Sequence, residues 1–263
     1  MRLERASLLG YLKNPEEKAV LAKVLDSAET VLRNHRPLLT SFYDPYHTGL
    51  IASILERIQD IDFASYGGYD LSERVRTVIF PDYLEGEVFD YEITLLAVEG
   101  NFKMVKVNHR DFLGSLLGLG IKREMVGDLI VSDKGCQVMV AREIAPYLMA
   151  NLTKVHKVRV EVREICPEEL KLPELKVKEI KTTVASLRLD TVAAAGFGTS
   201  RSRIAREIQA ERLNLNWHSC SDVAASVKSG DMLSIRGRGR VEIAEVKGNT
   251  KSGRISIVLK RYL

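Results

Sequence analysis

Arginines at short intervals in the last third of the chain are the side chains best suited to chemistry, and that chemistry would be phosphate binding. Arg201, Arg203 and Arg206 follow the hydroxyls of Thr199, Ser200 and Ser202, while Arg236, Arg238 and Arg240 alternate with Gly237 and Gly239. A guanidinium offers a planar fork of N–H donors that matches phosphate oxygens and stacks on bases, and glycine lets the backbone approach a ligand closely. Between the two groups lie Asn216, Lys228 and the single tryptophan, Trp217. Its indole suits stacking on an unpaired base, with packing as the competing role.

The charge distribution points the same way. From Ser186 onward there are fourteen Lys/Arg against seven Asp/Glu, a surplus of seven where the whole chain carries only four, so the first 185 residues are acidic by three. Such asymmetry suits a polyanionic partner at one end, because neutralised phosphates release counterions. A solvated charged surface is the competing reading, and composition alone does not separate the two.

Position matters more than count. Thr199 or Ser200 is placed to cap a helix whose Ile204 and Ile208, followed by Leu213, face inward, which sets the three arginines in its first turns. Unpaired N–H groups and a partial positive charge at that terminus add to a phosphate site. Leu213 to Trp217 reads as a strand, Gly230-Asp231 as a turn, Met232 to Arg236 as a second strand, and Arg236 to Arg240 as a basic corner. Leu189 to Ala195 reads as a short apolar turn before the capped helix.

Upstream, Asn14 as cap, Pro15 and Glu16-Glu17 open a helix to about Arg33, and Asp44-Pro45 opens another through Ile58. From Phe63 short apolar runs predict strands over 74–80, 91–98, 102–107, 127–131, 137–141 and 155–162, with helices over 110–117 and 142–152. The expected fold class is α+β: an N-terminal helical region (1–62), a middle α/β domain (63–165), a charged linker or edge strand (166–185) and a small C-terminal domain (186–263). No apolar run is long enough to cross a bilayer and the first five residues lack a secretory core, so the expected location is the cytoplasm. Cys136, Cys166 and Cys220 lack zinc-ligand spacing, and no metal or cofactor is expected.

Arg188-Leu189-Asp190, the Ser200-Arg201-Ser202-Arg203 helix start, Leu213 to Trp217 with Asn216, and Ser229-Gly230-Asp231 resemble, in order and spacing, the small RNA-binding domain named after ribosomal protein S-four. The resemblance implies two helices on a small curved sheet, with the second helix's basic start and adjoining loops on structured RNA. The residues expected to contact RNA are Arg188, Ser200, Arg201, Ser202, Arg203, Arg206, Asn216, Trp217, Lys228, Arg236, Arg238 and Arg240. Glu211 departs from the pattern, which usually has glycine there.

Asp44-Pro45, Gly67-Gly68-Tyr69, His109 to Gly114, Gly118 to Glu124 and Gly127-Asp128 resemble the YlmH family of bacterial proteins, and a related family associated with photosystem II shares most of these motifs. The YlmH resemblance implies a middle domain similar to RNA-recognition folds. It also implies binding of rRNA and tRNA on the large ribosomal subunit in rescue of stalled translation, and a genetic setting near cell-division genes. His109, Arg110, Lys122 and Arg123 are candidates for a second RNA surface.

An enzymatic reading starts from Asp190, because pseudouridine synthases carry a catalytic aspartate in a similar triplet. Here Thr191-Val192-Ala193-Ala194 replaces their continuation, and Asp190 reads as a structural carboxylate. Gly196-Phe197-Gly198 lacks the preceding strand and acidic partner of a dinucleotide loop. The expectation is a non-enzymatic RNA-binding adaptor with no catalytic residue. The alternatives are an RNA-modifying enzyme or an assembly factor for cell division or photosystem II.

Overall fold

Capping chemistry sets the first long helix. The structure, a computed structural model, describes residues 4–10, 12, 14–102, 105, 107–172, 176–250 and 253–262. After a short α1 (Arg5–Leu9), the Asn14 side chain accepts from the Glu16 N–H at 2.9 Å to open α2 (Pro15–Asn34), whose Leu21, Val24, Leu25, Ala28 and Val31 are buried. Asp44 caps α3 (Pro45–Leu55) by accepting from the His47 N–H at 3.0 Å. Both helices pack on a three-stranded sheet of order β1–β3–β2, formed by β1 (Leu38–Leu39), β2 (Ile61–Tyr66) and β3 (Arg76–Pro81).

That sheet differs from the sequence reading, which put the chain beyond residue 62 in the middle domain. Ile61, Phe63 and Ile79 instead complete the core of α2 and α3, because two amphipathic helices leave apolar stripes that a sheet can cover.

The next sheet is antiparallel, of order β5–β6–β4–β8–β7. Its strands are β4 (Ile93–Gly100), β5 (Val126–Ser132), β6 (Gly135–Ala141), β7 (Lys154–Val155) and β8 (Val158–Glu164). Alternate residues point to opposite faces. One set, including Leu96, Val98, Val138 and Val140, packs with α4 (His109–Gly118) and α5 (Ala145–Asn151). The other, Leu95, Ala97, Ile130, Met139 and Ala141, is covered by Phe42, Ile165 and Leu170. Of the expected strand over 102–107, residues 103, 104 and 106 lie outside the described residues, while Phe102, Val105 and Val107 are in irregular chain. The helix expected over 142–152 is a 3₁₀ turn followed by α5.

The chain divides into two compact units, 1–173 and 174–263, and the fold class is α+β. The second unit has a six-stranded antiparallel sheet of order β11–β10–β12–β13–β14–β9. These strands are β9 (Val177–Val184), β10 (Leu213–Leu215), β11 (His218–Ser219), β12 (Met232–Ile235), β13 (Gly239–Asn249) and β14 (Ile255–Tyr262). Within the segment expected as a linker or edge strand, residues 177–184 form an edge strand; 173–175 lie outside the described residues.

Two helices, α6 (Leu189–Phe197) and α7 (Arg201–Gln209), pack on this sheet. The segment 189–195 is helical rather than a turn: eight of the nine α6 residues are buried, so no polar face marks a period. Gly196 lies against the sheet, where an added Cβ would meet Val241 Cγ1 at 2.5 Å, and Gly198 ends α6 at φ 61°. Among the described residues no helix is long and apolar enough to cross a membrane.

Candidate nucleic-acid interface

Ser200 caps α7, its hydroxyl accepting the Arg203 N–H at 3.3 Å and lying 3.2 Å from the Ser202 hydroxyl. Ile204 and Ile208 are buried, which turns Arg201, Arg203 and Arg206 outward. The three then diverge. The Arg201 guanidinium donates to Asp190 Oδ2 at 2.7 Å, and Arg188 donates to Asp190 Oδ1 at 3.2 Å. Asp190 is 5% exposed and also accepts from the Thr191 hydroxyl. Burial alone would raise its carboxyl, but the bonds from Arg188, Arg201 and Thr191 hold it below the ordinary aspartate value. Its two arginines are therefore already part of an ion-paired group.

Arg203 is different. It is exposed, and among the described residues no ion pair or hydrogen bond engages its guanidinium; the same holds for Arg236 in the β12–β13 turn. Arg206 donates only to its own helix, at the Ser202 carbonyl. Arg238 lies 3.8 Å from Glu207 on α7, which brings the glycine-spaced corner beside the helix. Arg203, Arg206 and Glu207 share one face at i, i+3 and i+4. Arg240 is the second residue of β13, half-buried, paired in register with Ser234 and Tyr262.

A second group sits at the other end of β10. Asn216 donates to Asp231 Oδ1 at 3.0 Å and accepts the Met232 N–H at 2.8 Å, while Asp231 Oδ2 accepts the Lys228 N–H at 2.7 Å. The Asn216 amide thus locks two loops together. Trp217 follows it, half-buried at φ 65°, and Lys228 is exposed. The two groups are separated by the three-residue β10, about 7 Å of strand rise.

The four residues expected on a second surface part company. Arg110 and Lys122 are exposed. Arg123 points inward and donates to the Val126 and Gly127 carbonyls. Burial, then the neighbouring Arg74 charge, lowers its pKa to about 10. His109 is held below the usual histidine value by partial burial and by Arg123. Sequence reasoning missed the centre that Arg123 belongs to. Arg74 donates to the carbonyls of Phe42 and Val126, and Asp128 accepts from the Tyr69 hydroxyl at 3.0 Å and from the Glu73 and Arg74 N–H groups. The signal was present in dispersed form: Asp44-Pro45, Gly67-Gly68-Tyr69, Ile121 to Glu124 and Gly127-Asp128 all converge here.

Comparisons with known proteins agree with this organisation. Residues 16–84 match the family model described as "YlmH, N-terminal", and residues 87–169 match "Putative RNA-binding domain in YlmH". The chain is 33% identical over 246 residues, 94% of its length and 95% of the relative's, to the "Ribosome-associated protein quality control protein P2" of Bacillus subtilis (strain 168). A solved structure, "Cell division protein ylmH from Streptococcus pneumoniae", is similar at TM-score 0.51 and 26% identity, covering 61% of this chain and 98% of that one. Similarity running the length of both chains, with two family models side by side in the first unit, shows that the chain belongs to the YlmH family.

Proposed function

We propose that the chain is a cytoplasmic, non-enzymatic adaptor that binds structured RNA, namely rRNA and tRNA on the large ribosomal subunit, in ribosome-associated quality control. The observation that carries this reading is the exposed, unpaired Arg203 in the first turn of α7 and Arg236 in the β12–β13 turn. Positively charged forks on a rigid helix and turn position a phosphate backbone. Two helices packed on one antiparallel sheet support an S-four-type module, and the relative's name supports the pathway. Asp190 supports a role without catalysis, since its carboxylate is buried and held by two arginines.

The test is binding of the full chain to purified large subunits carrying peptidyl-tRNA, followed by sedimentation. Arg203→Ala with Arg236→Ala should weaken binding at least about tenfold and flatten its salt dependence. Unchanged affinity overturns the reading. The solved relative's name favours a second one, a role at division. Captured division proteins that persist after nuclease treatment would support it.

A further inference from the structure

Modules with an antiparallel sheet and helices on one face commonly stack RNA bases on the open face. In the 87–169 domain that face is closed over most of its width, since Met139 and Phe42 are fully buried and Leu95, Ala97 and Ile130 lie beneath the same cover. The uncovered part is the rim at β7 and β8, where the outward residues Lys154, Arg159 and Glu161 are charged and none is aromatic.

This rim is cationic on balance, with Lys154, Lys157 and Arg159 against Glu99 and Glu161 in the lining of one cleft. Val155 and Val158 point into the core, which turns Lys154 and Arg159 to the opposite face as directly paired residues in register. Like charges facing each other across strands destabilise a hairpin unless a counter-charge lies over them. His156 and Lys157 form the connecting turn, with His156 at φ 52°. Two clefts of about 880 and 570 Å³ meet at Thr153 and Lys154, the first reaching Arg159 and the second reaching Arg110 on α4. Their carboxylates are partly engaged: Asp111 accepts the Asn108 N–H, and Glu99 lies 3.5 Å from Arg163. Among the described residues Arg110, Lys154, Lys157 and Arg159 have no ion-pair partner.

We infer that the β7–β8 hairpin and the first turn of α4 form a second RNA site, in which Arg110, Lys154, Lys157 and Arg159 hold successive backbone phosphates without reading bases. The inference rests on the RNA-binding reading above and places a separate contact in the first unit. Phosphates over the Lys154 and Arg159 pair remove their repulsion, and contacts made to phosphates carry no sequence information.

The test uses the full chain, with labelled 20-nucleotide oligouridylate, oligoadenylate and an RNA duplex as probes, titrated over a range of KCl. Lys154→Ala, Lys157→Ala and Arg159→Ala together should weaken all three probes about tenfold or more. They should also reduce the slope of log K against log[KCl] by about two, as each lost phosphate contact removes roughly 0.7–0.9. The thermal midpoint should stay level or rise, because a repulsive pair has been removed; a fall would assign these cations to the fold and overturn the site. Arg203→Ala with Arg236→Ala is measured beside it. Loss there with no loss in the rim variant overturns the second site and leaves the proposed function standing, whereas no loss in either variant overturns both. A rim variant that weakens only one base composition also overturns the inference, since it requires backbone contact.

Discussion

Arg201 meets Asp190 at 2.7 Å across eleven positions of sequence, joining the start of α7 to the start of α6. The pair converts the one catalytic-looking triplet into a structural clamp, with Arg188 on the other carboxylate oxygen. It also changes which arginines report on RNA binding, because removing Arg201 leaves a buried carboxylate half-paired.

Asp190→Asn should therefore destabilise the second unit by about 1–3 kcal/mol, the usual cost of a buried polar group losing its partners. The folded carboxyl is depressed, so its contribution is present above the unfolded aspartate value of 3.8 and disappears as pH falls through the lower folded value. Urea unfolding at pH 7 should separate wild type from variant, and the gap should close towards pH 3. A variant as stable as wild type at pH 7 would contradict the clamp.

Glu211 stands at φ 54°, a left-handed conformation that costs an L-residue roughly 1 kcal/mol and glycine almost nothing. The glycine expected from the S-four-type pattern has a backbone reason here: the Glu211 N–H bonds the Ile208 carbonyl as the chain leaves α7. Glu211→Gly should raise stability by up to about 1 kcal/mol and strengthen RNA binding by removing a carboxylate near the arginines. Thermal unfolding and a filter-binding titration check the two parts separately.

In the first unit two histidines should respond to pH with opposite sign. His47 bonds Asp44 at 2.9 Å, and that bond holds the imidazolium above its ordinary value. Its stabilisation is complete below the unfolded value of 6.5 and fades as pH rises through the raised folded value. His109 is depressed, so protonating it below 6.5 works against the fold. Relative to wild type, His47→Gln should be least stable at pH 5.5 and recover by pH 8.5, while His109→Gln should gain on wild type as the pH falls. Parallel denaturation curves at both pH values would rule out the assignment.

What the sequence reveals of this fold depends on where the information lies. Helix α2 was legible because its cap, proline and acidic first turn lie within four residues of each other. Strand β9 was legible only as one of two alternatives, a linker or an edge strand, since Lys178, Glu179 and Lys181 face water and only Val184 is fully buried, a pattern that charge makes look like a linker. The long β13–β14 hairpin was missed for a similar reason, with polar residues and two register shifts breaking its alternation. At the site, the residue types were legible and their pairings were not. Asn216 and Asp231 lie fifteen positions apart, so nothing local distinguishes an RNA contact from a loop lock.

Trp217 offers the sharpest separation of those two roles. Leu215 pairs with His218, so Asn216 and Trp217 form a two-residue hairpin loop with φ of 50° and 65°, the backbone of a type I′ turn that favours asparagine followed by glycine. Retaining a bulky indole where glycine fits best suggests a return outside the fold, and stacking on a base is worth about 1–3 kcal/mol. Trp217→Gly should leave stability within about 1 kcal/mol, since relief of the strained turn offsets lost packing. RNA affinity should fall about 5–100-fold over the same substitution. Because the chain has a single tryptophan, its fluorescence should also be quenched on binding RNA in the wild type. Unchanged affinity together with a loss of more than about 2 kcal/mol in stability would assign Trp217 to packing, by the cost typical of an emptied core site.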